Sequence, residues 1–394
     1  MTRLKNSALI DDEPFVEDGV KKSKNSIKIV DLFAGIGGFH YGIAAAAKKK
    51  RLAIEPLLVA EINEDCRDVY MANHKCGADV FQIDVKNLEL GTRDQADILA
   101  AGFPCQPFSN SGRKRGLSDP RGEFYDAIVD AIMAFDTKTF ILENVPGMRT
   151  NGGSAGTSRF AFVDQDIGHS MKRMEEKFDE LEKKYDIKWL EINSSDIGSP
   201  QVRKRLYFIG VHKDLNVKLR LGESFVIHEY EKNAFTKIAD RKRGNIDRGF
   251  SDKQLENIRR TLNPDCKPSF KDGMRRVGKA YSCPGGNVGQ AYHAYGMVPT
   301  LTKVWAGFLP IYFPHPDEKR PNVKSREFDP GALYGKGYLR RASVEEVMRL
   351  QGFPRSFVPH ESARVAYEQA GNAVNAKVIR EIADNLIRYI CQNF

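Results

Sequence analysis

A cysteine set between two prolines is the first residue whose placement suggests chemistry. The segment Gly102-Phe103-Pro104-Cys105-Gln106-Pro107-Phe108-Ser109 follows directly on an apolar, strand-like run. Ligands of a doubly wound sheet bind at the carboxyl ends of its strands, so a thiol there is placed to act as a nucleophile. Burial as a structural residue is the commoner fate of a lone cysteine, but it suits a turn flanked by prolines poorly. The next strand ends in Glu143-Asn144-Val145-Pro146-Gly147, which sets a carboxyl group on the same sheet edge, where it can donate a proton. Gln201-Val202-Arg203-Lys204-Arg205 precedes a further strand. As isolated residues these cations read as solvated surface; beside a thiol and a carboxyl they become candidate contacts to a base or a phosphate. Ser109-Asn110-Ser111-Gly112-Arg113-Lys114-Arg115-Gly116 combines glycine hinges with three adjacent cations. It reads either as a loop that closes on phosphate or as a solvated basic turn.

Nearer the N-terminus, Asp31-Leu32-Phe33-Ala34-Gly35-Ile36-Gly37-Gly38-Phe39 runs from a strand end into a helix. Its glycines let the backbone approach a ligand closely, and the helix N-terminus offers unpaired N–H groups. The dinucleotide pattern G-x-G-x-x-G requires glycine at position 40, where this chain has His40. Glu61, after the second strand, is placed to hold ribose hydroxyls, and Asp84, after the third, to accept from an exocyclic amine. One acid after each of these strands suits a nucleoside cofactor whose tail bears no pyrophosphate, and S-adenosylmethionine fits that description. The glycine turn by itself is equally a tight strand–helix connection. A nicotinamide oxidoreductase is disfavoured by His40 and by the lack of a hydride-transfer site.

An alternation of strands and helices must carry these residues. The apolar patterning predicts strands over 27–33, 56–60, 80–83, 97–101, 139–142, 187–192 and 206–211, with helices over 38–50, 64–73, 123–135 and 170–185. Asn-Gly-Gly and Ala-Gly-Thr-Ser within 149–158 mark a loop. This rhythm implies an α/β fold: a doubly wound, mostly parallel sheet covered on both faces. It breaks after Val211. Residues 212–335 show no long helical period and carry basic clusters such as Arg241-Lys242-Arg243. Helical signals return where Ser343 and Glu346 have capping-box spacing, and again over 376–390. The resulting parse is a polar extension at 1–26, a catalytic and cofactor-binding domain at 27–211, a smaller irregular insertion at 212–335, and a segment at 336–394 that completes the catalytic domain.

Composition narrows the class. With 41% hydrophobic and 10% aromatic residues in 394, the chain has ample material for a core, which excludes a wholly disordered protein. Its net charge of +9 favours a polyanionic partner. No apolar run approaches the ~18–20 residues of a membrane span, and the N-terminus lacks the apolar centre of a signal peptide. The six cysteines form no C-x-x-C and no zinc-like spacing, so no metal is expected and a reducing cytoplasm is the expected compartment.

Taken in order, the blocks Phe33-Ala34-Gly35-Ile36-Gly37-Gly38, Gly102-Phe103-Pro104-Cys105-Gln106, Glu143-Asn144-Val145 and Gln201-Val202-Arg203-Lys204-Arg205 resemble the signature blocks of the C5-cytosine DNA methyltransferases. The segment from Arg340 to Pro354 is similar to the family's ninth block, and Gly371-Asn372-Ala373-Val374 to its tenth. Six blocks in this order are highly specific, and they cover roughly 27–211 and 336–391. The resemblance implies a Rossmann-like, S-adenosylmethionine-dependent methyltransferase that flips a cytosine out of double-stranded DNA and methylates its C5. It assigns the nucleophile to Cys105, the N3 partner to Glu143, and groups holding the base to Arg205 and Arg203. It assigns the cofactor pocket to Phe33, Ala34, Gly35, Gly37, Gly38, Glu61, Ile62, Asp84, Val85, Pro104, Asn372 and Val374. DNA contacts fall to Gln106, Ser109, Arg113, Arg115 and Thr300. The sequence departs from the family's frequent pattern at Ile62, where an aromatic residue often stacks on adenine.

The insertion at 212–335 occupies the place of the family's variable target-recognition domain. The resemblance further implies a monomer in the cytoplasm at the nucleoid, paired with a cognate restriction endonuclease. A tRNA cytosine methyltransferase is the main alternative, and a sizeable basic insertion argues for DNA against it. A catalytically dead DNA-binding relative is the other, and the joint presence of Cys105, Glu143 and Arg205 argues against that. The charge divides unevenly: 211–340 holds 24 Lys and Arg against 14 Asp and Glu, whereas the remainder holds 37 against 38. The positive excess therefore lies in 211–340, which spans the segment assigned to DNA recognition and its immediate flanks.

Overall fold

The structure, a computed structural model, describes residues 26–74, 76–90, 94–104, 124–150, 169–219, 235–240, 252–261, 274, 276–279, 290–301, 309–314 and 337–392. Its strands are β1 (Ser26–Leu32), β2 (Ala53–Ala60), β3 (Phe81–Gln82), β4 (Ile98–Gly102), β5 (Thr139–Asn144), β6 (Tyr185–Asn193), β7 (Gln201–Val202), β8 (Lys204–His212), β9 (Arg276–Lys279), β10 (Gln290–His293), β11 (Val298–Pro299), β12 (Pro310–Pro314) and β13 (Gly337–Arg341). Its helices are α1 (Gly38–Lys49), α2 (Glu64–Asn73), α3 (Phe124–Ala134), α4 (Gly147–Thr150), α5 (His169–Lys184), α6 (Asp252–Thr261), α7 (Val344–Leu350), α8 (Ala363–Asn372) and α9 (Ala376–Cys391). Among the described residues, none of these helices is long and apolar enough to cross a membrane.

Two compact units divide the chain. One draws on Glu17–Asn193, Lys204–Val226 and Ala373–Phe394; the other includes Ser194–Arg203 and Ile227–Asn372. Along the described residues the chain changes units at 193/194, at 203/204, between 219 and 235, and at 372/373.

The first unit contains a seven-stranded sheet in the order β3-β2-β1-β4-β5-β8-β6. Strands β1 to β5 run parallel to their neighbours, and β8 runs antiparallel to both β5 and β6. The α/β class read from the sequence is therefore correct: the sheet is mostly parallel, with one strand reversed. All six residues of β5 are buried, as are the first four of β4, because a sheet covered on both faces needs continuous apolar strands. One core joins Val30, Leu99, Phe140 and Phe208 of the sheet to Ile128 and Ile132 of α3 and to Phe178 and Leu181 of α5. Elsewhere in this unit α1 packs on α9. There Gly42 permits the approach, since a Cβ on it would lie 2.6 Å from the Ile379 Cβ and 2.7 Å from the Ala376 carbonyl oxygen. Asn63 caps α2 by accepting from the Cys66 N–H, with Glu64 and Asp65 in the first turn.

The second unit holds a four-stranded sheet, β13-β12-β10-β9, and the short pair β11-β7. The capping box expected at Ser343 and Glu346 is formed in full. Glu346 also forms an ion pair with Arg340, and Arg349 binds Asp240 at 2.6 Å. Two local expectations need correction. Gly147–Thr150 is a short helix, so the loop assigned to 149–158 cannot begin at Arg149; its remainder from 151 lies outside the described residues. Residues 252–261 form a helix inside the segment read as lacking helical rhythm. Its ten residues carry only Leu255 and Ile258 as large apolar positions, too few to register as a period.

Candidate active site

The glycine turn after β1 folds into a run of unusual backbone. Phe33, Gly35 and Gly37 have φ of 54°, 53° and 85°. For phenylalanine this left-handed conformation is strained, and such strain collects where a backbone must hold one shape. Gly35 donates its N–H to Glu61 Oε2 at 2.8 Å, and Asn63 donates its N–H to Glu61 Oε1 at 2.8 Å. Glu61 thereby links the ends of β1 and β2, and each carboxylate oxygen retains a lone pair for a further donor. A Cβ on Gly35 would meet nothing within 4 Å, so the space over the turn is open.

Around this opening, Ile62 at 70% and Ile83 at 61% exposure are, among the described residues, two of the few large apolar side chains left in solvent. Phe33 is half-buried and meets Phe124 edge-on at 5.1 Å. Asp84 caps the following turn, accepting from the Lys86 N–H and from Asn87 Nδ2, both at 3.0 Å. Val85 is buried beside it, as are Ala34 and Gly38 beneath the glycine turn. These groups fit a nucleoside cofactor: apolar side chains for a base, a carboxylate for ribose hydroxyls, and open backbone for a small tail.

The second cluster lies farther along the same sheet edge. Gly102 of β4 is in register with Glu143 of β5, and Glu143 in turn with Tyr207 of β8. Glu143 Oε1 lies 2.9 Å from Arg205 Nε, the side chains being only 11% and 14% exposed. The N–H does not point along that line, so Oε1 is buried without a hydrogen bond among the described residues. Arg205 also donates from Nη1 to the Lys204 carbonyl at 2.7 Å. Val374 approaches from the start of α9: a Cβ on Gly102 would lie 3.6 Å from Val374 Cγ1 and 3.9 Å from Glu143 Oε2. Pro104, half-buried, is the last described residue before Cys105.

The carboxylate of β5 and the guanidinium of β8 pair beside the strand that leads into a cysteine, and one family model spans all of these residues. The model of the C-5 cytosine-specific DNA methylases matches residues 27–388. The chain belongs to that family. As a DNA cytosine-5-methyltransferase it is 28% identical to the Type II methyltransferase M.BanI of Aneurinibacillus aneurinilyticus, over 92% of this chain and 96% of that one. It is 27% identical to the Type II methyltransferase M.HhaI of Haemophilus parahaemolyticus, over 93% and 95%. Among solved structures it is similar in fold to S. pombe Dnmt2 methyltransferase, with a TM-score of 0.63 at 16% identity, covering 93% of this chain and all of that one.

Three expected site residues of this methylase belong to the other unit. Arg203 is 3% exposed and donates to the carbonyls of Leu301 at 3.2 Å and Gly371 at 3.4 Å. Thr300 donates its hydroxyl to the Val202 carbonyl at 2.7 Å, extending the β7–β11 pairing. Asn372 is exposed at the end of α8. Cys105, Gln106, Ser109, Arg113 and Arg115 lie outside the described residues.

Sequence reasoning missed Ile83 and Phe124. An apolar residue directly before Asp84 was a usable signal for Ile83, because residues just past a strand's carboxyl end face the ligand crevice. Phe124 had none, since its contact with Phe33 crosses 91 positions of sequence.

Proposed function

We propose that this methyltransferase moves the methyl group of S-adenosylmethionine to C5 of a cytosine flipped out of double-stranded DNA, through a covalent adduct at Cys105. The observation that carries the reading is the Glu143–Arg205 pair at 2.9 Å, beside the strand that leads into Cys105.

S-adenosylmethionine would supply the electrophilic methyl group, held by Glu61 at its ribose and by Phe33, Ile62 and Ile83 at its base, with Asp84 near the exocyclic amine. Val85, Pro104, Asn372 and Val374 would complete that pocket. The thiolate of Cys105 adds to C6 of the cytosine, and the electron pair of the C5–C6 double bond moves through the ring towards N3. Glu143 donates a proton at N3, which makes the addition easier. Arg205 holds Glu143 and faces charge developing on the ring carbonyl. C5 then takes the methyl group as the bond from that group to the sulfonium sulfur breaks, leaving S-adenosylhomocysteine. C5 loses its proton to water, the C5–C6 double bond re-forms as the thiolate leaves, and N3 returns its proton to Glu143. Because C6 is out of reach within a duplex, the cytosine must leave the stack, with Ser109–Gly116 as the loop that closes behind it. Gln106, Arg113, Arg115 and Thr300 contact the DNA, and Arg203 supports the base-holding side. Residues 212–335 read the target.

The names of the Type II relatives support a protective role beside a cognate restriction endonuclease. The enzyme acts, in this reading, as a cytoplasmic monomer on nucleoid DNA. A duplex carrying 5-fluorocytosine at the target site tests the chemistry, because fluorine cannot leave as the C5 proton does. With S-adenosylmethionine present, wild-type enzyme should form a denaturation-resistant complex and Cys105→Ser should form none. Methylation at an ordinary rate by Cys105→Ser would overturn the covalent mechanism.

A further inference from the structure

Beneath the glycine turn lies a polar cluster that this chemistry does not use. Asp31, His40, Tyr70 and His74 are each no more than 1% exposed. They come from three elements: the end of β1, the first turn of α1, and the end of α2 with its C-cap. His40 Nδ1 and the Tyr70 hydroxyl are 2.7 Å apart, and that hydroxyl reaches Asp31 Oδ2 at 3.4 Å. The His40 and His74 rings stack at 4.1 Å, and the Tyr70 ring lies 4.7 Å from His74.

His74 also touches the turn itself. A Cβ on Gly37 would lie 2.2 Å from His74 Nε2 and 3.1 Å from Tyr70 Cδ2, so the imidazole fills the room that a side chain at position 37 would take. Gly37 has φ of 85° and is the N-cap of α1. The ring therefore packs against the backbone whose shape sets Gly35 for its bond to Glu61.

We propose that His74, backed by Tyr70 and His40, is a positioning residue for the cofactor turn, and that its protonation weakens cofactor binding. The inference rests on the reading of this turn as the S-adenosylmethionine site. Apart from a weak interaction with the Gly37 backbone, no hydrogen bond of good geometry reaches either ring nitrogen of His74 among the described residues, and the His40 ring is stacked on it at 4.1 Å. Burial first, and His40 second, hold the His74 imidazole well below the ordinary histidine range, against a smaller opposing pull from the Gly37 backbone. Taking up a proton means leaving this pocket, and the support under Gly37 leaves with it.

The groups facing His74 bear on the sign. Burial holds the Asp31 carboxyl well above the ordinary carboxylate range, with Tyr70 opposing and Glu61 adding to the shift. Opening the pocket lets His74 gain a proton at low pH, whereas it lets Asp31 lose one at higher pH, so the two act in opposite directions. Among the described residues, Cys76, half-buried beside Tyr70, is the remaining titratable neighbour. Replacing His74 by phenylalanine keeps a ring in the stack and removes its titration together with its polar contact to the Gly37 backbone.

Full-length wild type and His74→Phe are compared by calorimetric titration with S-adenosylmethionine at pH 5.5, 6.5, 7.5 and 8.5, with S-adenosylhomocysteine as a second probe. The expected ratio of wild-type to variant affinity is constant at the upper two values and declines towards pH 5.5, by at most about tenfold, the limit set by an ordinary histidine pKa of ~6.5 in a fully opened, cofactor-free pocket. Tyr70→Phe, which keeps the ring against Gly37, should retain that pH dependence while weakening binding at every pH. A ratio that does not change with pH overturns the inference and leaves the cofactor site intact. Failure of wild type to bind either probe at any pH would instead overturn the reading of the turn. Should His74→Phe not fold, the Tyr70→Phe profile decides: loss of the acid-side decline seen in wild type removes the proposal.

Discussion

Replacing Arg205 by methionine removes the guanidinium and keeps much of the apolar stem. Glu143 would then hold a carboxylate in a site where its side chain is 11% exposed, with no other ion-pair partner among the described residues. Breaking a buried pair by removing one member costs roughly 3–5 kcal/mol, because the other charge stays desolvated. The residual exposure of both side chains admits some water and brings the cost to the bottom of that range or just below it, about 2–3 kcal/mol for Arg205→Met. Glu143→Gln should cost less, about 1–2 kcal/mol, since the longer guanidinium can turn towards solvent. In the double variant neither charge is left uncompensated, and the loss should fall about 1.5–2 kcal/mol short of the sum of the singles. Trp189 gives a local reporter: it pairs with Phe208, three positions along β8 from Arg205, and Trp305→Phe would leave it the only tryptophan. Urea unfolding followed by its emission yields the four free energies of the cycle. Both single variants should also slow single-turnover methyl transfer by at least about a hundredfold, typical of removing a group that faces developing charge. Strictly additive destabilisation would refute the argument, because it would mean the two side chains do not sense each other. Large stability coupling with unimpaired methyl transfer would make the pair structural only.

Two further outcomes follow from packing and charge. Gly42→Ala should lower stability by about 1–3 kcal/mol, read as a fall in melting temperature, although alanine is the better helix former; α1 would have to move away from Ile379 and Ala376 of α9. Neutralising four lysines or arginines between 211 and 340 should weaken DNA binding and reduce its log–log salt slope by about 0.9 for each phosphate that no longer meets a cation, with cofactor affinity unchanged in calorimetry.

How far the sequence could be read depended on which forces act locally. Strands β1, β4 and β5 announced themselves as apolar runs because both faces of each are covered. Strand direction carries no such mark. The pattern of β8 is that of any buried strand, so its antiparallel course between β5 and β6 had to come from the fold. The two arginines illustrate a sharper limit. Two positions apart on an unbroken strand, Arg203 and Arg205 would share a face. Arg203 instead falls between β7 and β8, where the chain changes units, and it binds the Leu301 and Gly371 carbonyls while Arg205 meets Glu143.

His40 shows the same limit from the opposite side. In the sequence it served only as the residue that spoils a dinucleotide pattern. In the fold it is stacked on His74, and the ring of His74 fills the space that glycine leaves at position 37. A third glycine at position 40 would leave no ring to stack there. The departure from the pattern and the buried cluster are therefore one feature: where a dinucleotide site uses glycine to bring helix and strand together, this turn is underlain by three aromatic rings and a carboxyl group. Such support is stiffer than bare backbone, and it makes the shape of the cofactor turn answerable to a proton that no residue facing the substrate carries.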